Sequence, residues 1–261
     1  HNNGSFIGSL ANVCRWLGEE AENLGVQVFP GFAASDVVYG ENGEVKGVVA
    51  GVMGIAADGS HKGDYEPGME LLGKYVLFAE GARGSLTKKV KEKFDLERDC
   101  DPQKYGIGLK EVWSVPADHP EFEAGYVQHT FGWPVKDKDG NGGGFLYHFT
   151  EGGENYVSVG YVVHLNYKNP WLSPYQEFQR YKHHDEIKRY LEGGKRVAYG
   201  ARAITSGGVQ SVPTLAFPGG ALIGCSAGFV NLPRIKGTHN AMKTGMMAAE
   251  SAVAAIREGR Q

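Results

Sequence analysis

The fold is decided by residues 221–240, which read ALIGCSAGFVNLPRIKGTHN. The apolar residues 221–223 predict a short buried strand, and the glycine-rich segment 224–231 predicts a loop after it. A helix is then expected to begin near Thr238 and to run to about Ile256. A strand, a glycine-rich loop and a helix N-terminus form a common anion site, because backbone N–H groups and the helix dipole point towards the loop. The pattern alone allows either a cofactor contact or a plain connection between a strand and a helix.

A similar unit lies earlier in the chain. Residues 74–79 predict a compact apolar strand that ends at Glu80-Gly81, and residues 85–94 have the fourfold apolar spacing of an amphipathic helix. Residues 37–39 and 45–52 flank the turn 40–43 and predict a hairpin, with residues 51–57 as an extension of its second strand. Near the start of the chain we expect a helix with one apolar face, closed by Gly25, and then a short strand at 26–29. The apolar face is formed by Phe6, Leu10, Val13, Leu17, Ala21 and Leu24.

The middle of the chain is rich in aromatic residues and valine, which is typical of strands. Its apolar segments predict a four-stranded antiparallel meander with turns at 116–120, 136–143 and 151–154, and its strands are 105–115, 125–133, 144–150 and 155–167. Residues 173–176 (SPYQ) then form a capping box, so a helix is expected to run from there to Leu191 with His183-His184 in its middle. Three aromatic residues of this helix are expected to cover the sheet: Tyr175, Phe178 and Tyr181.

Composition excludes several functional classes. The formal net charge of −3 and the sequence pI of about 6.3 argue against a nucleic-acid partner. The longest apolar runs fall far short of the roughly 20 residues of a membrane-spanning helix, and contact with a membrane surface stays open. Three distant cysteines, Cys14, Cys100 and Cys225, fit a reducing compartment and argue against a metal site made by this chain alone. No catalytic side-chain set is evident, which favours a cofactor that supplies its own electron chemistry.

Long motifs carry a resemblance to a known family. Residues 224–243, GCSAGFVNLPRIKGTHNAMK, resemble the second flavin-binding motif of electron-transfer flavoprotein–ubiquinone oxidoreductases. Further segments resemble the same family in the same order: 78–81 (FAEG), 105–111 (YGIGLKE), 144–148 (GFLYH), 177–184 (EFQRYKHH) and 192–196 (EGGKR).

The resemblance implies a mixed fold of the α+β or α/β class. It implies that residues 1–102 and 210–261 form a discontinuous and incomplete FAD-binding domain of the glutathione-reductase type. Residues 103–209 are expected to form an inserted ubiquinone-binding domain made of an antiparallel sheet and a helix. The chain is expected to be an internal fragment, without the family's N-terminal GxGxxG unit and its C-terminal iron–sulfur domain.

The resemblance also implies an activity. Family members lie on one surface of a membrane, the bacterial inner membrane or the mitochondrial inner membrane, and pass electrons from reduced electron-transfer flavoprotein to ubiquinone. They use FAD and a [4Fe–4S] cluster, and the cluster is expected only in the full-length protein. Two alternatives are another FAD-dependent enzyme on this scaffold, such as a hydroxylase or an isoprenoid reductase, and a non-catalytic fragment that does not retain FAD. The fragment alone is expected to be inactive.

Carried over position by position, the resemblance implies two binding sites. Glu80 and Gly81 would lie near the FAD, and Gly142 and Gly143 would contact the oxygens of the quinone ring through their backbone groups. The residues expected along the flavin and its ribityl chain are Gly224, Gly228, Asn231, Gly237, Thr238 and Asn240. The sequence departs from related patterns at Cys225, where many flavoproteins have Asp, and at Gly144, where this family often has serine.

Overall fold

The computed structural model describes residue 4 and residues 6–135 and 141–260. In chain order the helices and strands are α1 (Leu10–Asn23), β1 (Ala34–Tyr39), β2 (Val45–Ala50), β3 (Met53–Ile55), β4 (His61–Glu66), β5 (Met69–Leu72), β6 (Val76–Phe78), α2 (Ser85–Lys93), β7 (Tyr105–Val115), β8 (Val127–Phe131), β9 (Gly142–Glu151), β10 (Glu154–His164), α3 (Pro174–Lys182), α4 (Asp185–Lys188), β11 (Lys195–Thr205), β12 (Ala216–Phe217), β13 (Gly220–Leu222) and α5 (Thr238–Arg257). These elements fall into two compact units. The first takes the described residues up to Val28 together with Tyr105–Ile204, and the second takes Phe29–Lys104 together with the described residues from Thr205 on.

A five-stranded sheet in the order β11-β7-β10-β9-β8 forms the centre of the first unit. β10 pairs antiparallel with β7 on one side and with β9 on the other, and β8 pairs antiparallel with β9. The strand order of the predicted meander is therefore wrong, because β7 pairs with β10 instead of with β8. The sheet also contains a fifth strand, β11, which was not predicted. The physical reason lies in β10, whose residues 157–161 are all buried and which needs a neighbour at both edges.

The helix after this sheet is shorter than predicted. Ser173 caps α3 as expected, since its hydroxyl accepts a hydrogen bond from the Gln176 N–H at 3.4 Å. However, α3 ends at Lys182, and the single helix predicted to Leu191 is wrong. His184 has an extended backbone, and its Nδ1 accepts from the Glu186 N–H at 3.2 Å, so it caps the short helix α4. The histidine pair thus lies at a break between two helices and not in the middle of one.

One face of the sheet is covered by α3. Phe178 and Tyr181 are each only 2% exposed and belong to the core of this unit. Tyr175, which we expected beside them, lies in the first turn of α3 and is 53% exposed, so it does not join this core. The buried core residues of the unit are Val115, Val135, Leu146, Val157, Val159, Tyr161, Val163, Leu172, Phe178, Tyr181, Ile187, Tyr190 and Leu191.

The predicted N-terminal helix is present as α1, capped by Ser9 and followed by Gly25 in a left-handed conformation. Phe6 precedes the helix and is fully exposed. None of the residues of α1 is buried, so its apolar face is not covered within the described part of the chain. No helix in that part is long and apolar enough to cross a membrane.

The second unit contains three small sheets, β1-β2-β5, β3-β4 and β12-β13-β6. The predicted hairpin is confirmed as the antiparallel pair of β1 and β2. The strand expected at 26–29 is not formed, and β2 is not extended through 51–57, because Gly51 turns the chain with a φ of 78° and β3 pairs with β4. α2 and α5 begin where the sequence predicts, and α2 buries Leu86 and Val90 in the core.

Candidate functional site

Two glycine-containing loops leave the same edge of one small sheet. β6 and β13 run parallel, and the Ile223 N–H donates to the Phe78 carbonyl at 3.1 Å where both strands end. In parallel sheets, ligands bind in the crevice beyond the carboxyl ends of neighbouring strands. The loop that begins at Glu80-Gly81 and the loop that begins at Gly224 therefore meet at a place where such a fold holds a ligand.

Glu80 holds its loop onto helix α2. Its carboxylate accepts hydrogen bonds from the Leu86 N–H at 3.2 Å, the Thr87 N–H at 2.6 Å and the Thr87 hydroxyl at 2.7 Å. These bonds satisfy N–H groups of the first helical turn, and the negative charge suits the positive end of the helix dipole. The side chain thus acts on the helix, while the neighbouring Gly81, with a φ of 81°, has no heavy atom within 4 Å of the position that a Cβ would take. Gly81 leaves room for a ligand beside the backbone.

The glycine-rich loop 224–231 is seated on the first turns of α5 by two hydrogen bonds. The Gly224 N–H donates to the Thr244 hydroxyl at 3.0 Å, and the Asn240 side-chain amide donates to the Phe229 carbonyl at 2.9 Å. Thr244 was not among the predicted site residues, although its fourfold spacing from Asn240 places both on one helix face. Gly228 has a φ of 83°, a conformation that residues with a side chain rarely adopt, and a Cβ there would lie 2.5 Å from the Gln103 amide nitrogen, so a substitution would be strained.

The N-terminus of α5 has no side-chain cap. Gly237 occupies the N-cap position and Thr238 the first helical position. The N–H groups of a first helical turn have no partner within the helix, and they carry its positive dipole end. Asn231, by contrast, uses its side-chain oxygen to accept from the Arg234 N–H at 3.2 Å, a local bond that shapes the loop. The arrangement suits a ligand that presents hydrogen-bond acceptors or negative charge to Thr238 and its neighbours.

Cys225 lies in the same loop and is half-buried. Burial raises the pKa of its thiol, so the side chain is neutral near neutral pH. Nothing at this position supplies the negative charge that an Asp would bring.

The predicted quinone glycines lie at the start of β9 in the first unit. Gly142 pairs with Val163, and Gly143 pairs with Val162 on one side and with Phe131 on the other. Because successive residues of a strand point to opposite faces, Gly142 faces the buried side of the sheet and Gly143 the other. Residues 136–140 of the turn predicted before β9 lie outside the described residues.

The face that carries Gly143 is aromatic. Phe145, Tyr147 and Phe149 follow it along β9 as consecutive ring contacts, with centroids 6.3 Å and 5.9 Å apart. Lys110 of β7 donates to the Tyr147 hydroxyl at 2.7 Å, and Phe131, opposite Gly143 on β8, is 81% exposed. The face thus presents a row of half-buried aromatic rings beside one lysine–tyrosine hydrogen bond.

The structure thus groups the predicted site residues in two places. The second unit holds the predicted flavin set, which is Glu80, Gly81, Gly224, Gly228, Asn231, Gly237, Thr238 and Asn240, and the first unit holds Gly142 and Gly143. In the described parts of both units, no three His, Cys, Asp or Glu side chains are close enough together to hold a metal ion.

The overall fold is shared with solved structures. A geranylgeranyl bacteriochlorophyll reductase-like protein from Thermoplasma acidophilum matches 95% of this chain and 54% of its own length, with a TM-score of 0.63 and 19% sequence identity. At this identity the likeness defines a class of fold, a mixed α/β protein with antiparallel sheets, and nothing more specific.

Sequence comparison is more specific. Residues 105–204 match the family model described as ETF-QO, ubiquinone-binding. The chain is 53% identical to the electron transfer flavoprotein-ubiquinone oxidoreductase of Pseudomonas aeruginosa, over 100% of this chain and 46% of that protein. It is 55% identical to the mitochondrial protein of the same name from Mus musculus, over 96% of this chain and 40% of that protein.

These matches agree with the resemblance carried by the motifs. The chain is homologous to electron transfer flavoprotein-ubiquinone oxidoreductases along its whole length, and it spans less than half the length of these relatives.

Proposed function

We propose that the chain is the flavin- and quinone-contacting part of an electron-transfer flavoprotein–ubiquinone oxidoreductase. In this proposal it serves the transfer of electrons from reduced electron-transfer flavoprotein to ubiquinone at the surface of a membrane. The observation that carries the proposal is the match of residues 105–204 to the ubiquinone-binding family model, inside a similarity that covers the whole chain. Residues 1–102 and 210–261 would then belong to the FAD domain and residues 103–209 to the ubiquinone domain, although the described residues up to Val28 group with Tyr105–Ile204 in the compact units.

Two features of the second unit support an FAD site. Gly81 leaves open space at the backbone, and the first turn of α5 has no side-chain cap, so its N–H groups at Thr238 to Asn240 are suited to the acceptor atoms of a flavin. Bound FAD would supply the electron chemistry. The chain's own residues would position it: Asn240 and Thr244 fix the glycine-rich loop, and Glu80 fixes the loop beside Gly81.

The dipole of α5 has a consequence for the flavin. Backbone N–H groups and a positive helix end stabilise negative charge more than a neutral ring. They would therefore favour the reduced state of the cofactor. The described residues offer no ligand set for a [4Fe–4S] cluster.

In the first unit, the aromatic face around Gly143 is the proposed quinone site. A quinone presents two carbonyl acceptors on a flat ring, and a glycine in the strand keeps a side chain from blocking its approach. An isoprenoid reductase or a hydroxylase on the same scaffold is the alternative, and it is supported by likeness of fold alone.

The test uses the full-length protein with Gly143→Val. We expect a raised KM for a short-chain ubiquinone, with electron acceptance from reduced electron-transfer flavoprotein unchanged. The new side chain would stand on the face that holds the ring, and its Cβ, 2.9 Å from the Thr130 carbonyl oxygen, would also shift the strand. Gly200→Val on β11 controls for a valine added to the same sheet where a Cβ meets no heavy atom within 4 Å. Quinone kinetics equal to those of the wild type in the Gly143 variant would remove this face from the site.

A further inference from the structure

The glycine run at the start of β9 faces two environments. Gly142 and Gly144 point to the side of the sheet that α3 covers, and Gly143 points to the aromatic side. A Cβ at Gly142 would lie 2.5 Å from the Tyr161 hydroxyl. A Cβ at Gly144 would overlap the Cζ and hydroxyl of Tyr181. On the side of the sheet that α3 covers, the hydroxyls of Tyr161 and Tyr181 thus already fill the space that side chains at positions 142 and 144 would need.

These tyrosines have little freedom to move away. Tyr161 is 0% exposed and Tyr181 is 2% exposed, and their ring centroids lie 5.0 Å apart. Tyr161 stands on β10 beside β9, whereas Tyr181 reaches the strand from α3. In a close-packed interior, a ring held on all sides yields only when its neighbours shift as well.

Hydrogen bonds fix both hydroxyls. The Tyr161 hydroxyl accepts from the Val135 N–H at 3.3 Å, and the Tyr181 hydroxyl accepts from the Thr130 hydroxyl at 2.9 Å. Thr130 is on β8 and pairs directly with Gly144. The two tyrosines therefore connect α3 and β10 to the end of β8 and to the chain just after it, on both sides of the glycine run.

We propose that Tyr161 and Tyr181 are positioning residues for the quinone site, because their hydroxyls take the side-chain space of Gly142 and Gly144 and thereby set where Gly143 presents its backbone. The inference rests on the proposed quinone site at Gly143.

The chemistry of the phenols is consistent with a positioning role. Burial raises the pKa of both Tyr161 and Tyr181, so both stay neutral over the physiological range. A neutral phenol keeps a hydrogen-bond donor as well as acceptor lone pairs, whereas a buried phenolate would be costly.

Gly144→Ala in the full-length holoprotein is the main test. The new methyl group must displace the Tyr181 ring or the strand, and a displacement near 1 Å at a binding site costs about tenfold or more. We expect the KM and the equilibrium dissociation constant for a short-chain ubiquinone, the latter from dialysis, to rise about tenfold. The kcat at saturating quinone is expected to change much less. Gly200→Ala on β11 is the matched control, because it adds the same methyl group in open space of the same sheet.

A second substitution at Tyr181 distinguishes a positioning role of the tyrosine from general damage to the fold by Gly144→Ala. Leucine lacks the ring end and hydroxyl of tyrosine, so Tyr181→Leu combined with Gly144→Ala should bring both quinone constants back to those of Tyr181→Leu alone. A milder variant, Tyr181→Phe, keeps the ring and loses the bond to Thr130, and we expect a smaller rise in KM with the fold intact. If Gly144→Ala lowers the melting temperature but leaves both quinone constants unchanged, the tyrosines only fill the core and the inference fails.

The Gly143→Val variant distinguishes this failure from a failure of the proposed function. When Gly143→Val raises the KM and Gly144→Ala does not, the quinone site stands and the positioning role is wrong. When neither variant changes quinone binding, the proposed quinone site itself is wrong.

Discussion

At the scale of single residues, His148 is a buried imidazole that sits among aromatic rings. It is 1% exposed, stacks on Phe122 at 5.2 Å between centroids and lies 5.2 Å from the Tyr126 ring. Its Nδ1 accepts from the Glu123 N–H at 3.1 Å, which places the proton of the neutral ring on Nε2. Burial lowers the pKa of His148, because the charged form would lose its hydration.

The lowered pKa predicts that acid destabilises the first unit. Below the ordinary histidine pKa of about 6.5 the unfolded chain binds a proton that the folded chain does not, so the free energy of unfolding falls as pH decreases. The fall ends once the pH is below the folded-state pKa. His148→Gln should flatten the pH dependence of urea unfolding in this window, whereas the same slope in the variant and the wild type would exclude His148 as its source. Burial also lowers the pKa of His164. His164→Gln is therefore the matched variant, and the pH dependence of its urea unfolding is compared with that of His148→Gln.

Asn240 holds the glycine-rich loop in place, since its amide donates to the Phe229 carbonyl at 2.9 Å. Removing one such bond costs about 1 kcal/mol, which is about fivefold in an equilibrium constant. We therefore expect Asn240→Ala in the full-length protein to weaken FAD binding by about that factor, with Lys243→Ala, an exposed residue on the next turn, as the control. A flavin potential lowered by tens of millivolts at unchanged FAD affinity would contradict this role and would indicate a direct bond to the flavin.

At the scale of elements, one carboxylate joins two strands and a helix. Glu111 of β7 is 3% exposed and accepts from Lys182 of α3 at 2.8 Å and from Arg196 of β11 at 3.2 Å. Trp113 also donates to it, at 2.9 Å. Burial alone would raise the pKa of Glu111, but the bonds from Lys182, Trp113 and Arg196 outweigh burial and hold it below its ordinary value.

Glu111→Ala should destabilise the first unit strongly. It would leave the Lys182 ammonium, whose side chain is 11% exposed, without its counter-ion, and removing one partner of a buried pair costs about 3–5 kcal/mol. Urea unfolding of the variant measures this cost. Glu154→Ala, at an exposed carboxylate, should change stability by less than about 0.5 kcal/mol. Equal losses in the two variants would mean that the network around Glu111 does not hold the elements together.

Sequence predicts best those elements whose signals are local. The cap at Ser173, the hairpin around residues 40–43, the start of α2 and the start of α5 each depend on a few neighbouring residues, and all are confirmed. β11 was missed because most of it is exposed, so it has no alternating apolar pattern, and the Glu111 bond to Arg196 that fixes it crosses 85 residues. The pairing of β7 with β10 is also a long-range event that local patterns do not encode.

In the candidate site, too, the sequence predicts the local elements and not the long-range contacts. The motif from Gly224 to Asn240 is contiguous, and its residues form one loop and one helix end, as its spacing predicts. The contacts that fix it, such as Thr244 to Gly224 and Gln103 beside Gly228, come from distant positions and carry no motif of their own. The same holds for Tyr181 above Gly144, which no spacing along the chain would indicate.

At the scale of the whole molecule, the described residues supply one part of the proposed FAD site. The glycine-rich loop and the start of α5 are suited to the flavin and its ribityl chain, and in such folds the pyrophosphate is held by a strand, a GxGxxG turn and a helix. The 261 residues contain no GxGxxG sequence. The chain by itself should therefore gain little from the adenosine diphosphate half of FAD.

The isolated chain is therefore expected to bind FAD weakly, with a dissociation constant above about 1 μM in equilibrium dialysis. Riboflavin, which lacks the pyrophosphate, is expected to bind within about threefold of FAD, because a factor of three is worth less than one ordinary hydrogen bond. Full-length protein run in parallel should bind FAD far more tightly than riboflavin. Sub-micromolar FAD binding by the chain, together with a preference of tenfold or more over riboflavin, would show that its own residues hold the pyrophosphate. The incomplete FAD site proposed for this chain would then be wrong.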